Sequence, residues 1–160
     1  MADYSTTFTV PQSAEEVYAA VLNVGAWWTG EIEGRPDEVG AEFAYRHLPQ
    51  HFSLQRVVEL EPGRRVVWQV VDSKLAFVSE PSEWTGSQIV FDITPEADGS
   101  GSDPRGPGHA AVTGAELRFT HLGLVPEVEC FGACSTAWRH YVNGSLHSLI
   151  TTGAGLPDPW

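Results

Sequence analysis

Positive charge is scarce in this 160-residue chain. Nine Lys and Arg stand against 21 Asp and Glu, a formal net charge of −12 at pH 7. Phosphate backbones are held by clustered Lys and Arg, so nucleic acid is excluded as a partner and anionic membrane surfaces are disfavoured. The carboxylate surplus reads as a solubility device. Long apolar runs are also missing: none approaches the roughly 18 residues that span a bilayer, so no membrane insertion is expected. The opening MADYSTTFTV has no basic start followed by an apolar stretch, so no secretory signal is visible. Cysteine is limited to Cys130 and Cys134, which without an export signal points to a reducing, cytoplasmic setting. No Gly-rich loop runs from a strand into a helix, and the Gly-x-Ser-x-Gly elbow of serine hydrolases is absent.

What is present is a chain with 42% hydrophobic residues, enough for one globular domain over residues 1–160. Tyr4 to Val10 is rich in β-branched and aromatic residues and reads as a strand that Pro11 ends. Ser13 and Glu16 form a capping box, and Ala14, Val17 and Val21 recur at helical spacing. GAWWTG, with Trp27 and Trp28, then makes a corner or a brief second helix. Further on the pattern alternates. Phe43, Tyr45 and His47 share one side of a strand; Val66, Trp68 and Val70 share another, which Asp72 is expected to end. Ile89, Phe91 and Ile93 follow, with Asp92 facing away, and Leu117, Phe119 and His121 form the last such row. Residues 98–111, Gly-, Pro- and Ser-rich, read as a flexible hairpin loop. The predicted fold class is α+β: a curved antiparallel sheet, one face apolar, covered by a long C-terminal helix because nothing else remains to cover it.

That helix is predicted from Pro126 to a stop at Gly153, with Glu127 and Glu129 at its positive end. At about 100° per residue, Phe131, Cys134, Trp138, Val142, Ser145 and Leu149 fall on one stripe. Glu129, Thr136, His140, Asn143 and His147 fall opposite. A zinc site needs about four converging ligands. Cys130 and Cys134 are one turn apart, but the helix histidines point the other way, so the thiols read as small buried hydrophobes and no metal or other cofactor is expected. Gly132, Ala133, Ser135, Gly144 and Ser145 are small residues facing or flanking a sheet rich in rings. Two outcomes stay open: an apolar pocket between helix and sheet, or a core in which the rings fill the space themselves.

The element order resembles the START-related helix-grip fold. EVGAEFAYR, RVVELEPGRRVVWQVVDS, ELRFTHLGL and WRHYVNGSLHSLITTGAG resemble bacterial proteins similar to the C-terminal domain of the heat-shock protein 90 ATPase activator, over nearly the whole chain. The resemblance implies a cavity between helix and sheet, which relatives use for lipids, hormones or polyketides. The eukaryotic activator's chaperone-engaging N-terminal domain is not expected here, so a chaperone partner is not the leading expectation. The expected function is binding of a small, largely apolar molecule. Its walls are Trp28, Phe43, Tyr45, Trp68, Phe91, Phe119, Phe131, Cys134 and Trp138, with His121 as the polar contact. The alternatives are a cavity enzyme of cyclase or hydrolase type using His121 as its base, and a co-chaperone-like stress-response protein. His121 also has a purely structural reading. Trp84 is expected to pack, His47 and His51 to flank a solvated turn, and an exposed edge strand leaves a homodimer open.

Overall fold

The computed structural model describes residues 3–28, 31–34, 36–47, 51–75, 84–97, 112–126, 129 and 131–155. The predicted 98–111 loop and Cys130 lie outside them, as do the side chains of His47 and His51, whose backbones pair across the β3–β4 hairpin.

Strand β1 (Tyr4–Val10) leads into helix α1 (Ala14–Leu22) and a single 3-10 turn (Val24–Ala26). Strands β2 (Glu31–Gly34), β3 (Glu42–His47), β4 (His51–Glu61), β5 (Arg65–Leu75), β6 (Gln88–Ala97) and β7 (Val112–Leu122) follow. They make one antiparallel sheet in the order β1-β7-β6-β5-β4-β3-β2. The capping box at α1 is formed in both directions: Glu16 N donates to Ser13 Oγ at 3.2 Å and Ser13 N to Glu16 Oε2 at 3.0 Å. Two orphan amides at the helix start are thereby satisfied. Ala14, Val17 and Val21 turn inward.

Alternation places the inner face as the sequence predicts. Phe43 and Tyr45, Val66, Trp68 and Val70, Ile89, Phe91 and Ile93, and Leu117, Phe119 and His121 are all buried. Asp92 lies on the outer face, where Arg65 holds it at 2.6 Å and Glu59 at 3.3 Å.

Two features depart from the pattern. Asp72 does not end its strand: β5 runs on to Leu75. Opposite it, Leu54 pairs with Asp72 but Gln55 with Val70, so Val71 is an extra residue. Such a bulge reverses parity beyond it. Asp72 therefore faces outward, and Ser73 and Leu75 face the core.

The C-terminal helix starts at Phe131, with Pro126 left in a turn. It comprises α2 (Phe131–Trp138), a π-helical stretch (Arg139–Leu146) and α3 (His147–Thr152), and ends on Gly153 at φ 87°. The π turn is wider than the α turn, so the buried stripe drifts from the predicted one. Cys134, Trp138, Val142, Leu146 and Ile150 recur every fourth residue, with Tyr141 and Ser145 beside them, while Phe131 and Leu149 are only half-buried. The predicted polar side is also partly covered. Thr6 Oγ1 donates to Asn143 Oδ1 at 3.1 Å, and the His147 ring meets Phe8 edge-on at 5.0 Å.

Candidate functional site

Under this helix the inner-face rings touch one another. Trp68 meets Phe91 at 5.0 Å between ring centres, Phe91 meets Phe119 at 5.2 Å, and Phe119 meets Trp138 at 4.6 Å. Trp138 meets Trp28 at 5.0 Å, and Trp28 lies 6.4 Å from Trp68, closing the circuit. Phe43 packs edge-on against Trp68 at 4.8 Å. Tyr45 stacks on Trp28 at 3.9 Å with planes 11° apart. Seven of the ten predicted site residues are thus one aromatic cluster: Trp28, Phe43, Tyr45, Trp68, Phe91, Phe119 and Trp138. Each is at most 2% exposed, so the rings occupy the space between sheet and helix in this conformation. The remaining three lie around it. Cys134 is buried one turn before Trp138. Phe131, at the helix start, touches the cluster through Tyr4 at 6.5 Å, and Tyr4 in turn meets Phe119 at 6.2 Å.

His121 is 1% exposed and its ring is held at both nitrogens. The Trp138 indole Nε1 donates to His121 Nδ1 at 3.1 Å. An accepting Nδ1 carries no proton, so the proton sits on Nε2 and is donated to Ser87 Oγ at 2.8 Å. Ser87 Oγ donates onward to the Trp84 carbonyl. This relay ties β7, the helix and the Trp84–Ser87 turn together. Trp84 closes over it, stacked on Trp138 at 5.6 Å and edge-on to His121 at 4.7 Å. With both nitrogens engaged, the ring has no lone pair to offer a substrate as a general base in this arrangement.

A polar side of the cluster escaped the sequence reading. Tyr45, Ser53 and Ser73 are successive cross-strand partners on β3, β4 and β5, all buried. Ser73 Oγ bonds Thr85 Oγ1 at 2.9 Å. The buried Gln55 amide accepts from Ser53 Oγ and donates to the Phe43 carbonyl at 3.0 Å. Burial pushes the Tyr45 phenol well above its ordinary value, and the hydrogen-bonded hydroxyl of Tyr141 raises it further. The clue to Ser53 and Gln55 was their alternation with Val57, and the clue to Tyr141 was its place seven residues after Cys134, on the same helix face; Ser73 was hidden by the bulge.

One atom stands out chemically. The indole Nε1 of Trp68, at the centre of the inner face, is buried and has no hydrogen-bond acceptor among the described residues. An unmet buried donor costs roughly 1–3 kcal/mol. No group of three or more His, Cys, Asp or Glu side chains able to hold a metal ion occurs among the described residues. No helix among them is long and apolar enough to cross a membrane.

By sequence, neither a family model nor a curated protein matches the chain. By structure, it is similar to the Aha1 dimer from Colwellia psychrerythraea, solved in solution: TM-score 0.69 and 22% identity, over 97% of this chain and 100% of that one. Protein SSP2350 from Staphylococcus saprophyticus superposes with TM-score 0.65 at 13% identity, over 99% and 98%. CalU16 from Micromonospora echinospora does so with TM-score 0.59 at 14% identity, over 92% and 74%. At these identities the likeness establishes the fold, and the fold is the helix-grip fold.

Proposed function

We propose that this protein binds a small, largely apolar molecule between its sheet and its C-terminal helix. The observation that carries the proposal is the Trp68 indole N–H, buried without an acceptor among the described residues in the middle of a largely apolar inner face. A folded core tolerates such a donor poorly, and a ligand oxygen or nitrogen would satisfy it. The rest of the site fits the same chemistry: an apolar body with a few convergent polar groups, here Tyr45, Tyr141 and Ser53, is what small-molecule sites provide. The helix-grip architecture shared with the Aha1 dimer and CalU16 is in keeping with this reading. Lipids are one arm of the ligand class and aromatic metabolites the other. Assembly as a homodimer in the cytoplasm belongs to the same proposal, supported by two edge strands, β1 and β2, and by a dimeric structural neighbour.

The test is a panel of lipids and aromatic metabolites added to pure protein, read by Trp fluorescence and melting temperature. Native mass spectrometry of protein purified from its own source reads retained ligand and dimer mass together. A bound compound should raise the melting temperature and change the emission of the clustered tryptophans. Silence across the whole panel, with no retained molecule, removes the proposal. Chaperone capture from cell extract alongside that silence would favour the co-chaperone reading instead.

A further inference from the structure

We infer that two copies of this chain join edge to edge through β1, antiparallel about a twofold axis at Thr7, so that their two sheets run on as one. This rests on the homodimer reading above and names its surface. β1 and β2 are the two open edges of the sheet, and they differ in how they are guarded. Natural edges avoid stray pairing by being short, charged, bulged or interrupted by proline. β2 is four residues long, two of them glutamates, and ends on Gly34 at φ 113°. β1 has none of these guards. Its seven residues, YSTTFTV, include no charge and no proline, and its register with β7 runs unbroken from Tyr4 to Val10. In a chain of net charge −12, an uncharged edge is where a second copy approaches with least repulsion.

The backbone of β1 is divided between its two sides. Tyr4 N–H donates to the Leu124 carbonyl at 2.8 Å, on the β7 side. The Val10 carbonyl oxygen faces the same way, since a Cβ on Gly114 of β7 would lie 2.4 Å from it. Successive residues of a strand point their hydrogen-bonding groups to opposite sides. The even-numbered residues therefore bond β7, while Ser5, Thr7 and Thr9 turn their N–H and C=O groups to the open edge. Among the described residues nothing bonds these groups on that side, and all three side chains are exposed. An antiparallel copy centred on Thr7 meets them all: Thr7 pairs with the partner's Thr7 and Ser5 with the partner's Thr9, each pair exchanging two bonds. On the inner face the same register sets Phe8 diagonal to the partner's Phe8, about 7–8 Å away and within reach of a ring. Phe8 is half-buried, braced on one side by the His147 ring. A second copy matches β1 in length, in lack of charge and in Phe8, which makes it the occupant these features favour over a strand of another protein.

Sedimentation of the full chain should show a dimer that dissociates on dilution. Thr7→Pro removes the axial donor from both copies and no bond to β7, so it should raise the dissociation constant about tenfold or more. Should Thr7→Pro not fold, as read by circular dichroism, Thr7→Glu carries the test. Arg118, the cross-strand neighbour of Thr7 on β7, receives the new carboxylate within one copy, while the two carboxylates oppose each other across the axis. Cysteines placed in a Cys130→Ser background test the register. Thr7→Cys alone should cross-link two copies under a mild oxidant. Ser5→Cys and Thr9→Cys should each fail alone, because like positions lie about 14 Å apart along the strands, beyond disulfide reach. Mixed together, they should cross-link. A dimer indifferent to both Thr7 variants, with no cross-link through Thr7→Cys, overturns the β1 seam and leaves a homodimer through another surface. Self-cross-linking of Ser5→Cys overturns the axis at Thr7. A single-chain mass at every concentration up to the solubility limit overturns the seam and the homodimer reading together, and leaves ligand binding untouched.

Discussion

His121 sets a sharp test, because its hydrogen bonds assign it to the scaffold. In His121→Leu the apolar volume is roughly kept, but the bonds to Trp138 Nε1 and Ser87 Oγ are lost. Each is worth about 1 kcal/mol net, and the Trp138 N–H is then buried without an acceptor at a cost of about 1–3 kcal/mol. Ser87 is less affected, since its hydroxyl still donates to the Trp84 carbonyl. The expected loss is therefore roughly 2–4 kcal/mol. For a domain of this size that lowers the melting temperature by about 5–15 °C. Trp138→Phe alone leaves His121 Nδ1 unmet. In the double variant both partners of that bond are gone, so the combined loss should fall short of the sum by about 1 kcal/mol. Urea unfolding followed by far-ultraviolet circular dichroism measures all four proteins on one scale. A His121→Leu loss below about 0.5 kcal/mol, the range of ordinary surface changes, would falsify the scaffold role. Strict additivity in the double variant would break the Trp138 link specifically.

Two further outcomes follow from other close contacts in the fold. Burial raises the Tyr45 phenol above its ordinary 10.0, and Tyr141 adds to the shift. The native state thus keeps that proton better than the unfolded chain. Stability is unaffected by this group below pH 10, and falls as pH rises above it, because the unfolded chain ionises first. Urea midpoints should drop through that range, and the phenolate absorbance of native protein should lag behind that of unfolded protein; matching titrations would refute the assignment. After the C-terminal helix, a Cβ on Gly155 would sit 2.1 Å from the Ala26 carbonyl oxygen, against the corner that carries Trp27 and Trp28. Gly155→Ala should cost about 1–3 kcal/mol through overpacking, and an unchanged melting temperature would show that the tail does not brace the corner.

Much of the fold was legible because most strands carry their own record of which side is wet; the four-residue β2 is too short to do so and was not read. Val66, Trp68 and Val70, or Leu117, Phe119 and His121, announce one face by alternation, and the capping box marks the start of α1 to the residue. Insertions in a periodic element are what such a reading misses. Val71 is an apolar residue like its neighbours, so nothing in VVWQVVDSKL signals that it is the extra residue of a bulge and that Ser73 faces inward in place of Asp72. RHYVNGSL holds no proline or other breaker that would mark a π turn, so Leu146 and Ile150 were left off the buried stripe. Local propensity is nearly indifferent to both choices, and the packing of helix against sheet decides them.

The closed state of the cluster follows from the same limit. Parity can say that Tyr45, Trp68, Phe91 and Phe119 face inward, but walls and filler are made of the same residues. The difference lies in where one additional ring is attached. Phe91 and Phe119, mounted on neighbouring strands, meet whatever else happens, and they form a wall. Trp28, mounted on a corner, fills the space between sheet and helix, with its ring against both Tyr45 and Trp138. A chain with a small residue at that position would present the same sheet, helix and His121 relay around an open space.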